Sequence, residues 1–598
     1  MTATSLLHEI RAITKHLSGK RKGQLIVLLL LMILVSFSEI WGVASIIPFI
    51  AVLENSERIL NSQHIQPILN YLHITTPQQL LIAIVIFFIG VIICTNTLRI
   101  FSIYVQNQLA ARLSVDLSSK LYHQLLFQPY IFYTQHHSSE LGVLIGFANS
   151  MSDGFFMPGL QVITNSFVAI ALFLGILFID GKVAIAMSVI LATAYISIYN
   201  WRKHRLTQNS MLISQSQTDL GKVISESLGN IKDIILSAKA NFFNASYQQS
   251  IGVVNKANAS NNTIVLTPRY LIEMLAMTCI ALLALSMGHG GDFRRSVPIL
   301  GSLALASNRL LPALQQSFAS ISQIQAYREQ MRTVLKALER SYDPLQELVP
   351  AQILPLRESL TIQNVWFRYR EDGSWILQDL CLTIPAKSRI GFVGTTGSGK
   401  STTADLILGL LQPEKGQILV DDLPLEGERL RAWQLGVAHV PQSIFIADTT
   451  VASNIAFGVP ESQIDWHQLT RAAKLAQIAD FIESLPQGYH TTVGERGIRL
   501  SGGQRQRIGI ARALYREASV IIFDEATSAL DNYTERELMA AINSLSQDLT
   551  IIMIAHRLTT VEKCDRIFEF SQGRVIHSGT YAELLEKSES FRRMAIRE

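Results

Sequence analysis

The sequence Ile390-Gly-Phe-Val-Gly-Thr-Thr-Gly-Ser-Gly-Lys-Ser401 places a glycine-rich loop directly after a short apolar run. The loop fits the pattern GxxxxGK[ST], and a mostly apolar stretch over 402–411 follows it. A strand, a glycine-rich loop and a helix in this order form a P-loop, which binds phosphate through backbone N–H groups. The pattern therefore predicts an α/β nucleotide-binding domain in the second half of the chain.

The residue types of this loop suit a nucleotide triphosphate with a divalent cation. The glycines let backbone N–H groups converge on phosphate oxygens, helped by the positive end of the following helix. The lysine should reach the β- and γ-phosphates, and the hydroxyl after it should bind Mg²⁺. We therefore predict ATP and Mg²⁺ as cofactors. The predicted nucleotide-binding residues of the loop are Gly394, Thr395, Thr396, Gly397, Ser398, Gly399, Lys400, Ser401 and Thr402.

Two adjacent carboxylates follow a second apolar run in this half. Residues 519–523 are nearly all apolar, as in a parallel strand that is covered on both faces, and Asp524 and Glu525 come next. Open α/β sheets bind ligands at the carboxyl ends of their strands, so both side chains should lie beside the phosphates. We expect Asp524 to bind Mg²⁺ through water and Glu525 to be the general base that polarises the attacking water.

Together with these two motifs, the second half resembles the ATP-binding cassette (ABC) family. The stretch Leu500-Ser-Gly-Gly-Gln-Arg-Gln-Arg507 is similar to the signature motif of that family and lies shortly before the 519–523 run. The resemblance also implies roles for four single residues. They are Tyr369, which stacks on adenine, Gln442, the Q-loop residue at the metal and the attacking water, Asp531, in the D-loop, and His556, the switch histidine at the γ-phosphate.

The signature motif implies a dimer. In the ABC family its residues contact the ATP that is bound to the P-loop of a second cassette, and this chain has one cassette. The resemblance therefore implies half a transporter, and we predict a homodimer with two equivalent sites. A heterodimer with a related chain is the alternative. The signature residues assigned to the partner's ATP are Ser501, Gly502, Gly503 and Gln504.

The composition of the whole chain is that of a membrane protein, and its apolar runs lie in the first half. Of the 598 residues 48% are hydrophobic and 16% charged, and the mean hydropathy is +0.26, whereas soluble domains carry about 25% charged residues. A transmembrane helix needs about 20 mostly apolar residues. Six runs meet this need, and we predict a membrane all-α domain of six transmembrane helices. The runs are 24–53, 81–98, 155–179, 183–201, 274–291 and 296–327.

The distribution of basic residues predicts the orientation of these helices in the membrane. The leader carries five basic residues against Glu9, so the positive-inside rule predicts a cytoplasmic N-terminus and a cytoplasmic cassette in the inner membrane. The first run is longer than the apolar core of a signal peptide, so we expect it to remain as a helix. The net charge of +4 does not suggest nucleic-acid binding.

We predict a transmembrane domain over 1–325, a helical extension and linker over 326–355, and the cassette over 356–598.

The connections between the second and third and between the fourth and fifth helices are long. Both contain few prolines and are predicted to be helical, so we expect the membrane helices to extend well beyond the bilayer. Within them, 128–140 and 225–239 resemble the coupling helices of ABC exporters. Six membrane helices followed by a cassette in one chain are similar to the exporter fold of that family.

Charged residues inside the membrane are costly and usually functional. Arg269 and Glu273 are spaced i,i+4 and could neutralise each other, and Glu39 could pair with a second arginine. One arginine per chain would then remain without a partner in the protein. Phosphate is a suitable counter-ion for it, because a guanidinium group binds phosphate oxygens in pairs. We therefore predict that Arg99, Arg269 and Arg309 bind the substrate. Snorkelling or structural ion pairing is the alternative.

Several membrane segments resemble one subgroup of the family. Ser36-Phe-Ser-Glu-Ile-Trp41, Pro268-Arg-Tyr270 and Arg309-Leu-Leu-Pro312 are similar to the bacterial flippase of lipid-linked oligosaccharides used in protein N-glycosylation. The resemblance implies an ATP-hydrolysing transporter that moves a lipid-linked oligosaccharide or a related glycolipid by alternating access. The alternative is a general lipid or multidrug exporter with a hydrophobic cavity.

Overall fold

Two compact units make up the chain. A computed structural model describes residues 3–54, 56–60, 66–71, 73–179, 181–288, 293–525, 549–555 and 557–597. Unit 1 comprises Met1–Leu126 and His136–Ser341, and unit 2 comprises Phe127–Gln135 and Tyr342–Glu598. The short segment Phe127–Gln135 therefore belongs with the second half of the chain, although its neighbours on both sides belong to unit 1.

Unit 1 is built from helices, and the described residues of the six predicted apolar runs lie almost entirely within them. In chain order the helices are α1 (Ala3–Lys15), α2 (Gly19–Ala44), α3 (Ile46–Glu54), α4 (Ser56–Leu60), α5 (Gln66–Tyr71), α6 (Pro77–Leu126), α7 (Tyr130–Gln135, in unit 2), α8 (Ser138–Asn149), a π-helical turn (Ser152–Phe156), α9 (Met157–Ile179), α10 (Gly181–Gly229), α11 (Ile231–Leu236), α12 (Ala240–Gly288), α13 (Phe293–Ala326) and α14 (Arg328–Leu338).

Helix length supports the membrane assignment. Among the described residues, three helical segments are long and apolar enough to cross a membrane: Gly19–Gly42, Pro77–Leu126 and Ser152–Gly175. Helix α6 has 50 residues, which corresponds to about 75 Å at 1.5 Å per residue. A bilayer core is about 30 Å thick, so this helix extends well beyond it. Each of the two segments that resemble coupling helices contains a short helix: α7 lies within 128–140 and α11 within 225–239.

The first predicted span is not one continuous helix. The sequence predicts a single membrane helix over 24–53, but α2 ends at Ala44 and α3 begins two residues later. Pro48 explains the break, because proline lacks an N–H and its ring collides with the carbonyl four residues earlier, that of Ala44. The Ser45 hydroxyl satisfies part of the interrupted turn by donating to the Gly42 carbonyl oxygen at 2.9 Å.

A buried ion cluster joins the two ends of unit 1. Arg328, at the start of α14, donates from Nε and Nη2 to the two carboxylate oxygens of Glu9 on α1, both at 2.9 Å. Arg332 donates to the same carboxylate at 2.8 Å. Glu9 is 9% exposed and Arg328 is 5% exposed, so water screens these contacts poorly. The cluster fixes the N-terminal helix against a helix more than 300 residues later in the sequence.

Unit 2 contains two sheets and the helices that cover them. Its strands are β1 (Ser359–Phe367), β2 (Leu377–Pro385), β3 (Arg389–Gly394), β4 (Lys415–Val420), β5 (Leu423–Pro424), β6 (Val437–Val440), β7 (Val520–Asp524), β8 (Thr550–Ile554), β9 (Arg566–Ser571) and β10 (Arg574–Gly579). Its further helices are α15 (Lys400–Ile407), α16 (Gly427–Gly436), α17 (Val451–Ile455), α18 (Trp466–Leu475), α19 (Ala479–Ser484), α20 (Gly502–Tyr515), α21 (Tyr581–Lys587) and α22 (Glu589–Arg597).

The larger sheet brings the predicted motifs to one edge. Its strand order is β10-β9-β3-β8-β7-β6, and all neighbouring pairs except β9 and β10 are parallel. The central strands β3, β7 and β8 are apolar and buried on both faces, which a parallel sheet covered by helices requires. The carboxyl ends of β3, β6 and β7 therefore face the same side, and each leads into a predicted motif.

Candidate functional site

The P-loop connects β3 to α15 and depends on its glycines. Gly394 and Gly399 have φ angles of 145° and 103°, in a region that side chains other than glycine rarely adopt. A Cβ at Gly394 would lie 2.2 Å from the Phe570 carbonyl oxygen, and one at Gly399 would lie 2.6 Å from the Leu377 side chain. Both positions therefore exclude a side chain, and the loop passes close to the sheet before α15 begins.

Lys400 points back into its own loop. Its Nζ donates to the carbonyl oxygens of Gly394 at 2.8 Å and Thr395 at 3.0 Å. The side chain is 5% exposed. Burial lowers the pKa of its ammonium group, and the carboxylates of Glu525 and Asp524 act in the opposite direction. The lysine is thus near both acidic residues, as the predicted phosphate site requires.

Strand register brings the Q-loop glutamine to the predicted general base. Strands β6 and β7 are parallel neighbours in which Val440 pairs with Phe523. Gln442 and Glu525 each lie two residues beyond these partners, and the Gln442 Nε2 donates to the Glu525 carboxylate at 2.6 Å. Glu525 has a φ of 48°, an unusual value for a residue with a side chain. The sharp turn after β7 thus places its carboxylate at this edge of the sheet.

The donor types at this edge fit Mg²⁺. A hydroxyl, an amide oxygen and a carboxylate are hard oxygen donors, and Mg²⁺ characteristically takes few protein ligands and completes its shell with water and phosphate oxygens. Ser401 is exposed at the start of α15, and Asp524 ends β7 on the same side of the sheet. In the described part of the chain, no group of three or more His, Cys, Asp or Glu side chains could hold a metal by itself. Ser401, Gln442 and Asp524 therefore fit a metal that is held jointly with phosphate.

The predicted adenine-stacking tyrosine lies beside the P-loop helix. The Tyr369 hydroxyl is 3.3 Å from the Thr402 hydroxyl oxygen. Its ring packs edge-on against Phe367, with ring centroids 5.1 Å apart. The Gln135 Nε2 donates to the Tyr369 carbonyl oxygen at 3.1 Å, so a segment that resembles a coupling helix contacts this position directly. Sequence reasoning did not find that contact, because the two residues are 234 positions apart.

The signature motif begins helix α20 with a capping box. The Ser501 hydroxyl accepts from the Gln504 backbone N–H at 3.2 Å, and the Gln504 side chain accepts from the Ser501 backbone N–H at 2.8 Å. This reciprocal pair satisfies the first N–H groups of the helix and fixes Gly502 and Gly503 at its N-terminus. Among the described residues no hydrogen bond joins the motif to the P-loop of the same chain. Asp531 and His556 lie outside the described residues.

An aspartate that sequence reasoning overlooked is buried beside the P-loop. Asp405 interrupts the otherwise apolar run after the P-loop, and this polar interruption was the available signal. Burial raises the pKa of its carboxyl group to about 6, and the nearby Asp524 carboxylate adds to the increase. The site therefore contains a third acidic group besides Asp524 and Glu525, and the charge of Asp405 changes at about pH 6.

Replacing Asp405 by Asn is expected to stabilise the protein more at neutral than at acidic pH. The unfolded chain ionises this residue from about pH 4, whereas the folded chain does so at about pH 6. Stability is thus lost as pH rises between these values, and the full cost applies above them. After screening, this cost is on the order of 1–2 kcal/mol. The unfolding temperature of Asp405→Asn should exceed that of the wild type by about 2–6 °C at pH 7.5 and by less at pH 5.

Thermal unfolding of the full-length protein at both pH values checks this expectation. Asp372→Asn is the matched control, because the Asp372 side chain is 77% exposed in the same unit and should change nothing. An equal gain at both pH values would show that the charge of Asp405 is not the cause.

A second candidate site lies within the membrane helices. A cavity of about 540 Å³ is bounded by α2, α6, α9 and α13. Glu39 and Arg99 line it, and their side chains form an ion pair with a nitrogen-to-oxygen distance of 3.2 Å. The structure thus pairs Glu39 with Arg99, one of the pairings that the sequence left open. Arg269 is exposed, is not among the described residues that line the cavity, and lies over the Tyr270 ring. The side chain of Arg309 is outside the described part.

Family comparisons match parts of both halves of the chain. Residues 377–528 match the family described as ABC transporter, and residues 23–291 match the family described as ABC transporter transmembrane region. The first match includes the P-loop and the strand that ends in Asp524, and the second includes α6, α9 and α10. These matches confirm the predicted combination of a helical membrane domain and a nucleotide-binding α/β domain.

Individual relatives extend over most of the chain. The ATP-dependent lipid A-core flippase of Pseudomonas aeruginosa is 31% identical over 491 residues, which cover 80% of this chain and 79% of the relative. The heterocyst differentiation ATP-binding protein HepA of Nostoc sp. is 31% identical over 479 residues, which cover 79% of this chain and 77% of the relative. The structure of a bacterial Atm1-family ABC exporter with ATP bound superposes with a TM-score of 0.77 at 22% identity, covering 97% of this chain and 98% of that one. That similarity shows the shared fold.

Proposed function

Since this chain belongs to the ABC transporter family and couples ATP hydrolysis to transport, we propose that it is a flippase that moves a glycolipid across the cytoplasmic membrane. The lipid-linked oligosaccharide predicted from the sequence is the specific form of this substrate. The observation that carries the proposal is the Glu39–Arg99 ion pair in a membrane cavity, because charged residues within membrane helices usually serve transport. Relatives named lipid A-core flippases support a lipid substrate.

A general lipid or multidrug exporter is the second candidate. Apolar side chains line part of the same cavity, among them Val35, Met157 and Leu172. Such a lining could accept hydrophobic molecules of several kinds, as ligand sites of this size commonly do. The two candidates differ in whether the polar side chains of the cavity are needed for transport.

The cassette residues act on ATP in distinct ways. Lys400 leaves the carbonyl oxygens of its own loop to hold the β- and γ-phosphates, while the loop N–H groups bind the remaining phosphate oxygens. Glu525 polarises the attacking water, and Gln442, already bonded to it, orients the carboxylate. Bound Mg²⁺ supplies charge neutralisation at the phosphates. The energy of closing two cassettes over ATP then drives the membrane helices between two states.

The assembly follows from the half-transporter architecture. We propose a homodimer in which the signature helix α20 of one chain completes the ATP site of the other. The basic residues before and at the start of α2 favour a cytoplasmic N-terminus. An even number of spans then returns the chain to the same side, which places the cassette where ATP is present.

Replacing Arg99 by Ala is expected to lower lipid flipping by about tenfold and to leave basal ATP hydrolysis unchanged. The substitution removes a charge-assisted hydrogen bond, which contributes about 1.5–3 kcal/mol, and it leaves the Glu39 carboxylate in the cavity without this partner. Flipping is measured in proteoliposomes supplied with ATP. The readout is the fraction of an NBD-labelled digalactosyl diacylglycerol whose fluorescence is quenched by dithionite. Arg269→Ala and Arg309→Ala test the remaining predicted substrate residues in the same assay.

Arg112→Ala is the matched control, since Arg112 is exposed on the same helix outside the cavity. Its flipping rate should equal that of the wild type. If all three arginine variants flip the glycolipid normally, or if the wild type transports rhodamine dyes and no lipid, the exporter alternative replaces the flippase.

A further inference from the structure

The membrane cavity is lined by an unusual concentration of carboxamide side chains. Gln106 on α6, Gln161 and Asn165 on α9, and Gln316 on α13 all line it, together with nearby hydroxyl groups. The volume of about 540 Å³ lies within the range of small-molecule binding sites. We call this space the carboxamide cavity. All of its lining residues belong to unit 1.

Helical spacing directs these groups to the same space. On α6, Arg99, Ser102 and Gln106 are spaced i, i+3 and i+7, which places them on one face of the helix. On α9, Gln161 and Asn165 are spaced i and i+4. Gln106 is buried, Gln161 and Asn165 are partly exposed, and Gln316 is exposed. The polar stripes on these two membrane helices therefore present donors and acceptors at the surface of the cavity, where a ligand can reach them.

Hydrogen bonds between side chains, some within one helix and some between helices, account for only part of this set. The Gln316 Nε2 and the Ser320 hydroxyl both donate to the Gln161 Oε1 at 3.0 Å, and the Gln106 Nε2 donates to the Ser102 hydroxyl oxygen at 3.0 Å. Asn165 differs from them. In the part of the chain that the structure describes, its side chain lines the cavity without a hydrogen-bond partner. The Asn165 side chain can therefore bind a ligand without breaking a hydrogen bond to another helix.

The chemistry of the lining favours neutral hydroxyl groups. A carboxamide offers two donor hydrogens and an acceptor oxygen, and a sugar hydroxyl is likewise a donor and an acceptor. The two can pair in either direction without any charge. The positive charge of Arg99 is balanced by Glu39 in the same cavity, so the lining as described carries no net charge. Such a set of groups suits a polyhydroxylated group better than a phosphate.

We propose that the carboxamide cavity binds neutral sugar residues in the headgroup of the transported lipid, through Gln106, Gln161, Asn165 and Gln316. The inference rests on the proposed glycolipid flippase and specifies which part of its substrate these residues recognise. Asn165 makes contact through both its amide hydrogens and its oxygen. The paired glutamines Gln161 and Gln316 present their remaining hydrogen-bonding capacity beside it.

Photolabelling of the full-length protein in phosphatidylcholine nanodiscs tests the assignment. One probe is a dodecyl maltoside with a diazirine on the sugar, and the other is a dodecyl phosphate with a diazirine at the first chain carbon. Labelled peptides are located by mass spectrometry. The maltoside probe should label α6, α9 or α13 at the cavity, and unlabelled dodecyl maltoside should compete. Asn165→Leu should lower this labelling about fivefold, as expected for the loss of about 1 kcal/mol of hydrogen bonding.

Two further variants keep the test decisive. Asn165→Asp preserves the shape of the side chain and removes its donors, so it should also lower the labelling even if the leucine variant does not fold. Asn96→Leu is the matched control, because Asn96 is exposed on α6 and bonds only to the Ile92 carbonyl oxygen of its own helix among the described residues. Size-exclusion chromatography and the unfolding temperature show whether each variant is folded.

Three results would overturn the assignment. They are maltoside labelling that avoids the cavity, labelling that both Asn165 variants leave unchanged, and phosphate-probe labelling that falls to the same extent in these variants. Lipid flipping by the same preparations is measured separately. Flipping without cavity labelling refutes the sugar site alone, whereas cavity labelling without flipping of any lipid refutes the flippase and leaves the sugar site supported.

Discussion

ATP turnover is expected to fall by about 100-fold or more when Glu525 is replaced by Gln, while ATP binding is retained. A positioned general base contributes about 10²–10⁴-fold to such a reaction, and the amide cannot accept the proton. The hydrogen bond from Gln442 can persist, because the new side chain still offers an oxygen at the same place. The cassette geometry should thus survive, and the protein should accumulate in a closed, ATP-bound dimer.

Lys400→Ala separates binding from hydrolysis. Removing this ammonium group deletes the charge that holds the phosphates, so ATP binding should be lost together with turnover. Both variants are compared with the wild type by phosphate release and by retention of radiolabelled ATP. Glu562→Gln, an exposed acid in the same unit, is the control and should behave as the wild type. Rapid turnover by Glu525→Gln would reassign the general base.

A heterodimer of two inactive chains is expected to regain about half of the wild-type ATP turnover. One chain carries Ser501→Arg and the other Lys400→Ala, and the two are isolated together through different affinity tags. The P-loop of the first and the signature motif of the second then form one intact site. The arginine removes the N-cap of α20 and fills the place of the partner's phosphates, so each variant alone should be inactive.

The decisive comparison uses the same two substitutions in one chain. A heterodimer of the doubly substituted chain with a wild-type chain contains no intact composite site, although it has the same mutations in total. It should hydrolyse ATP at a small fraction of the rate of the first heterodimer. A higher rate in the second heterodimer than in the first would show that each cassette hydrolyses ATP with its own P-loop and signature motif, without its partner.

The sequence predicted those features that local chemistry determines. A P-loop requires glycine where the backbone passes close to other groups, and Gly394 and Gly399 have the expected φ angles. The parallel strand before Asp524 was recognisable because both of its faces are buried. The break after Ala44 was missed although Pro48 signalled it, because the apolar run continues without interruption to residue 53.

Contacts between distant residues could not be predicted in this way. The Gln442–Glu525 bond depends on β6 and β7 being neighbours in register, and nothing in either motif specifies that order. The pairing of Glu39 with Arg99 was one of several that charge balance allowed. The Gln135 contact with Tyr369 requires the segment Phe127–Gln135 to belong to unit 2, which its composition does not indicate.

The ion cluster at Glu9 also sets a time order for biosynthesis. Its partner Arg328 is 319 residues later in the chain, and a ribosome adds about 5–20 residues per second. The carboxylate on α1 therefore waits roughly 16–64 s before this partner is made. All six long helices are synthesised within that interval. A nascent chain that stops before Arg328 cannot form this ion cluster, so its formation follows synthesis of the membrane helices.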